Sequence, residues 1–288
     1  MNHAQRTTLH FVLFVLAFHF LFPAHAKAKT KRTGNKPETT FLFIEWKHEE
    51  NKVLLGHFEN KSNKKIDVVS SPELLTETQL RSWLKGNHAI LLFHCMWGQQ
   101  SWFHKVKYLN TFEEVIATSG TNDVAVISFL WHAGAVNYKS NWSKAFDKGK
   151  SLSALLQQVN HFYKGNTTVL THSMGSRFFE GMINDQIISP QFKQVILFSA
   201  DISSNTNDPG FEAIVRSTKH ISIFKHQKDK PLLISSRIHG NNRMGRTGPE
   251  PAITNLTVYD MTVHINGFQN HAHINKRWVK AQLKHLLR

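Results

Sequence analysis

A serine stands where a β-branched run gives way to a helix-forming run: Thr167-Thr168-Val169-Leu170-Thr171-His172-Ser173-Met174-Gly175-Ser176-Arg177-Phe178-Phe179. On so sharp a strand-to-helix turn the Ser173 hydroxyl projects away from the backbone. The free N–H groups of the first helical turn lie beside it and can hold an oxyanion. A serine hydrolase presents its nucleophile in this way, so the segment points to a reaction class as well as to a fold. The usual pattern is G-x-S-x-G, and Thr171 takes the place of its first glycine.

The turn needs a helix, a buried strand and a second helix in that order. Leu152, Leu155, Leu156, Val159 and Phe162 fall on one helical face, and Gly165-Asn166 reads as that helix's stop. Around this unit the pattern predicts a strand pair at 40–47 and 52–58, then a short helix to residue 84 opened by the capping box Thr76-Glu77-Thr78-Gln79. Residues 88–93 are continuously apolar, as in a strand buried on both faces. Further strands are expected at 124–130, 167–171, 194–199, 220–225 and 253–261. Helices are expected at 102–109 with 113–118, and at 143–163, 176–185, 209–216 and 275–287. Strands alternating with helices imply an α/β fold with a mainly parallel sheet covered on both faces.

The 288 residues divide into a leader, a short basic tail and one large domain over 39–288. Arg6, the apolar run 9–22 and Pro23-Ala24-His25-Ala26 read as a signal peptide cleaved after Ala26. Residues 27–38 are polar and read as a flexible basic segment. The expectation is a secreted or periplasmic protein with no transmembrane segment after cleavage. Cys95 is the only cysteine, which excludes an intramolecular disulfide and thiolate-built metal sites. The formal net charge is +15; the leader holds one of those charges, Arg6, and no acid, so +14 remains. This balance favours anionic surfaces, but the basic residues are spread out and no zinc-finger or RNA-recognition pattern accompanies them, so no specific nucleic acid is expected. The dense stretch Lys61–Lys65 reads as a solvated loop.

From about Ala89 to Leu287 the chain resembles the α/β-hydrolases, most nearly a bacterial branch of largely uncharacterised function. The likeness rests on Phe93-His94-Cys95-Met96-Trp97-Gly98, Val126-Ile127-Ser128-Phe129-Leu130-Trp131 and Thr171-His172-Ser173-Met174-Gly175. It continues in Ser199-Ala200-Asp201-Ile202, Lys228-Asp229-Lys230-Pro231-Leu232, Arg243-Met244-Gly245 and Asn270-His271-Ala272-His273. The resemblance implies an α/β-hydrolase fold and an exported esterase or lipase-like enzyme that cleaves an ester or related acyl bond without a cofactor. Its substrate would be a small-molecule or lipid-like acyl compound.

Carried over to this chain, the resemblance makes Ser173 the nucleophile and His271, after the last strand, its base. His273 is the second choice and His264 a weaker one. Asp229, just after the strand 220–225, is the favoured acid, with Asp201 as the alternative acid; Asp260 reads as structural. An oxyanion hole would combine the Met174 N–H with one from the turn at Cys95 and Met96. Cys95 departs from the family's glycine there and reads as a small buried residue rather than a nucleophile. Trp97, Trp102, Phe103, Trp131 and Tyr138 follow strand ends and are candidates for an apolar pocket. The pair His271 and His273 lacks a third ligand, so no metal is expected. A catalytically silent protein of the same fold, binding a partner or an anionic surface, is the alternative, supported by Thr171, Cys95 and the positive charge.

Overall fold

Among the described residues seven strands run parallel, which places all their carboxyl ends along one rim, and two further strands, paired antiparallel, extend the sheet at one side. The computed structural model describes residues 39–47, 50–58, 64–71, 74–95, 102–119, 123–131, 137–184, 191–253, 256–265, 271, 274 and 276–287. Among these the strands are β1 (Thr39–Lys47), β2 (Lys52–Phe58), β3 (Lys64–Ser70), β4 (His88–Phe93), β5 (Val124–Trp131), β6 (Thr167–His172), β7 (Gln194–Phe198), β8 (Ile221–Lys225) and β9 (Leu256–Asp260). They form one sheet in the order β3-β2-β1-β5-β4-β6-β7-β8-β9. The helices are α1 (Glu77–Trp83), α2 (Trp102–Ser119), α3 (Tyr138–Ser151), α4 (Ser153–Phe162), α5 (Gly175–Asn184), α6 (Pro209–Arg216), α7 (Lys230–His239), α8 (Met244–Thr247) and α9 (Arg277–Leu286). This is an α/β-hydrolase fold.

The central strands are apolar along their whole length because both faces are covered. Successive side chains point to opposite faces. Leu91, Val169, Leu197 and Ile223 join the core under α1, α3, α4, α5 and α6. Ile90, Leu92, Leu170 and Ile196 join the core under α2 and α9. The ladders fix the rim: His172 pairs with Phe198, Phe198 with Phe224 and Lys225 with Asp260. The residue after each strand therefore emerges beside its neighbours, and ligand crevices of open α/β sheets form at this edge.

Several elements differ from their sequence expectation. Lys64 and Lys65, read as loop, begin the edge strand β3 antiparallel to β2. Lysines suit such an edge, since they oppose further strand pairing, and Lys64 also reaches the buried Glu45 carboxylate at 2.6 Å. The helix expected over 143–163 is two helices. It starts earlier, capped by the Asn137 side chain, and breaks at Leu152, whose backbone (φ −108°, ψ 9°) leaves the helical region. A one-residue break barely disturbs the apolar period, so the pattern could not reveal it. α2 is continuous, whereas the sequence divided it. β9 begins at Leu256 and ends at Asp260, shorter than expected. α7 and α8 were not anticipated, although Asp229 with Pro231 is an N-cap signature. Among the described residues no helix is long and apolar enough to cross a membrane. The leader read over 1–26 and the basic segment 27–38 lie outside the described residues.

Candidate active site

β6 ends at His172, and the next residue, Ser173, takes φ +55°. That left-handed conformation is uncommon for a side-chain-bearing residue and is retained only where the surroundings enforce it. Here the Ser173 N–H donates to Phe198 O (3.1 Å), and its carbonyl accepts from the N–H groups of Ser176 and Asp201 at 3.1 Å each. The Ser176 hydroxyl donates to the same carbonyl. α5 then starts at Gly175, where a Cβ would lie 2.2 Å from Phe93 O and 2.6 Å from His94 O. Glycine is needed there because the turn packs directly on the end of β4. Thr171 makes no such demand: it is a regular residue of β6, fully buried, paired with Phe93 and Leu197.

The Met174 N–H meets no acceptor among the described residues, so it is available to an oxygen placed over Ser173. Cys95 is buried just after β4 and is in no disulfide, next to the backbone that Gly175 touches. Met96 lies outside the described residues, as do Trp97 and His273. Trp131 is not a pocket residue. It is fully buried, stacks on Phe178 at 5.9 Å and donates its indole N–H to His94 O at 3.2 Å.

His271 bridges the serine and a carboxylate. Its Nε2 lies 2.8 Å from Ser173 Oγ, and its Nδ1 lies 2.8 Å from Asp229 Oδ2. The tautomer this network implies has Nδ1–H donating to Asp229 and Nε2 accepting from the serine hydroxyl. Asp229 is the N-cap of α7, and its other oxygen, Oδ1, accepts the Leu232 N–H at 3.0 Å. One carboxylate thus starts a helix and aims its second oxygen at the imidazole. Burial alone would lower the His271 pKa; the Asp229 charge and hydrogen bond, with the Asp201 charge, outweigh it and hold the ring above its ordinary 6.5.

His172 was missed in the sequence, where it is only a variable position of the serine motif among 19 histidines. Its Nε2–H donates to His271 O at 2.8 Å, tying the strand end to the histidine's backbone.

Asp201 is equally buried but engaged elsewhere. Ser235 donates to its Oδ1 at 2.6 Å, Tyr138 O–H reaches its Oδ2, and Arg243 Nε lies 3.4 Å from Oδ1. Burial pushes the Asp201 pKa up; Arg243, Ser235 and His271 oppose this, Asp229 adds to it, and the net displacement is upward. His264 stacks on Trp278 of α9 at 4.3 Å. Asp260 pairs with Lys225 at 3.1 Å.

A hydroxyl, an imidazole and a buried carboxylate in line can support two-step acyl transfer: proton removal from the hydroxyl, then proton return to a leaving group. Residues 76–286 match a family described as alpha/beta hydrolase of unknown function (DUF900). No curated protein matches the chain.

Proposed function

We infer the chemistry of this site from the premise that the chain belongs to the DUF900 family of alpha/beta hydrolases. The protein is a serine hydrolase that cleaves an ester or related acyl bond. Ser173 Oγ attacks the acyl carbon as His271 Nε2 takes its proton, and Asp229 stabilises the resulting imidazolium. The oxyanion is held by the Met174 N–H together with an N–H from Cys95 or Met96. Collapse of the tetrahedral species breaks the C–O bond, and His271 returns the proton to the departing alcohol. Water, activated by the same imidazole, then attacks the acyl-serine and releases the acid. The observation that carries this reading is the His271 ring, 2.8 Å from Ser173 Oγ on one side and 2.8 Å from Asp229 on the other.

The substrate is a small-molecule or lipid-like acyl compound, and the net positive charge, +14 once Arg6 is removed with the leader, draws the protein towards anionic surfaces. Cleavage after Ala26 delivers it to the periplasm or the exterior. Intact-mass measurement on protein from its own host should find Lys27 first, or Lys29 if cleavage follows Ala28; retention of Met1 would refute export by cleavage. The central test is labelling with a fluorophosphonate. Wild type should label and Ser173→Ala should not. Equal labelling of both, or no labelling of folded wild type, defeats the hydrolase reading.

A further inference from the structure

The segment Arg243-Met244-Gly245 carries part of the family resemblance yet takes no part in the acyl transfer just described. It lies between the two turns that bear the buried carboxylates. Met244 N–H donates to Ile202 O (3.0 Å) and Gly245 N–H to Ala200 O (2.9 Å), on either side of Asp201. Gly245 O accepts the His226 N–H (2.9 Å), and His226 O accepts the Asp229 N–H (3.0 Å). One short stretch of backbone therefore joins the Asp201 turn to the Asp229 turn.

The Arg243 side chain is 1% exposed. Its Nε donates to Ser235 Oγ at 2.9 Å. Since Ser235 Oγ accepts there, its own proton goes to Asp201 Oδ1, while Tyr138 donates to Oδ2. Asp201 thus receives at both oxygens, as an ionised carboxylate does. A charge buried so deeply persists only beside a partner of opposite sign, and Arg243 is that partner.

We propose, resting on the triad reading above, that Arg243 is a positioning residue for His271: it keeps Asp201 ionised and its oxygens occupied. Asp201 then adds negative charge beside His271, while Asp229 alone is left to accept the Nδ1–H. Asp229 at the start of α7 and His172 and Ser173 at the end of β6 hydrogen-bond to His271, and Asp201 after β7, whose N–H donates to Ser173 O at 3.1 Å, acts on the ring through its charge. The groups that bear on Arg243 are Asp201, Arg177 and Glu180 of α5, and Asp208 at the N-cap of α6, and Arg243 in turn bears on His239 of α7. Without Arg243, burial acts on Asp201 with its largest counterweight gone, so Asp201 takes up a proton. His271 then loses one of the charges that hold its pKa up.

The test is an NMR titration of ring-15N-labelled histidines in the full chain, with His271 assigned by comparison with His271→Gln. The His271 midpoint should fall in Arg243→Met and to a similar extent in Asp201→Asn. Arg243→Lys, which keeps the charge, should return it towards wild type. Arg243→Met added to Asp201→Asn should lower it no further. An unmoved midpoint in folded Arg243→Met overturns the proposal; so does an unmoved midpoint in Asp201→Asn, which decides the matter if Arg243→Met does not fold. Fluorophosphonate labelling of the same samples separates the two readings. Ordered midpoints without labelling defeat only the hydrolase assignment, and normal labelling with unmoved midpoints defeats only the role of Arg243.

Discussion

Two serines end adjacent strands in nearly the same backbone state. Ser173 follows β6 with φ +55°, and Ser199 follows β7 with φ +45°. Each donates its N–H to the last residues of the next strand, Ser173 to Phe198 at 3.1 Å and Ser199 to Phe224 at 3.0 Å. Their surroundings part from there. Ser173 is followed by Met174-Gly175 and the start of α5, with His271 at its hydroxyl. Ser199 is fully buried and its Oγ has no hydrogen-bond partner among the described residues. It is covered by Gly245, whose Cβ, if present, would lie 2.2 Å from Ser199 C. A left-handed serine at a strand end is thus no mark of a nucleophile. What separates the two is the imidazole that reaches Ser173 Oγ and the Gly245 backbone that covers Ser199.

The largest effect that would sharpen this contrast is on turnover. Ser173→Ala should lower hydrolysis of p-nitrophenyl butyrate by about 10⁴-fold or more. Ser199→Ala should leave both turnover and melting near wild type; a large turnover loss there would end the distinction. Next in size is the carboxylate pair. Asp229→Asn should cost about 10³- to 10⁴-fold in kcat, because an amide favours the wrong imidazole tautomer. Asn also caps helices well, so α7 should survive and circular dichroism should be unchanged. Asp201→Asn should cost less in kcat. The reverse order would move the acid to Asp201.

The pH profile comes third. His271 must be neutral to accept the serine proton, so turnover should fall about tenfold per pH unit below its midpoint, which lies above 6.5. The same raised pKa has the opposite sign for stability. Its contribution is complete below the unfolded value near 6.5 and is lost as pH rises through the folded midpoint. Activity and this share of stability should therefore cross, as seen by rate and melting measurements over the same buffers. A turnover midpoint below 6.5 would contradict the electrostatics of the site.

Smaller effects probe the turn itself. Gly175→Ala should destabilise by about 1–3 kcal/mol in thermal melts, since β4 backbone must move to admit the Cβ. A neutral result would mean that α5 is not pressed on β4. The smallest is Thr171→Gly, which puts glycine at the first position of the G-x-S-x-G pattern. It should lose about 1 kcal/mol, the ordinary cost of glycine inside an element, and gain nothing in labelling rate. A faster rate would show that threonine burdens the turn.

Much of this is legible in the sequence. The capping box at Thr76 and Gln79 forms as read, with both reciprocal bonds made, because it spans four residues. The buried strands were legible for a similar reason: cover on both faces leaves an unbroken apolar run in the chain. Lys64 and Lys65 were not, because an edge strand exposes its side chains and so resembles a loop in composition. Leu152 hid a helix break because one residue hardly shifts a 3.6-residue period.

The candidate site divides along the same line. The order strand, serine, glycine, helix is written locally, and it determined the turn at Ser173 wherever that turn came to rest. Which carboxylate faces His271 was decided only in three dimensions. Asp201 and Asp229 both follow parallel strands and are both buried, so strand position cannot rank them. The oxygens of Asp201 are taken by Ser235 and Tyr138, with Arg243 alongside. Asp229 spends one oxygen on the Leu232 N–H and keeps the other for the imidazole. Partners such as Tyr138, 63 residues from Asp201 in the chain, leave no trace in local pattern, because hydrogen bonds are filled by whatever folding brings near.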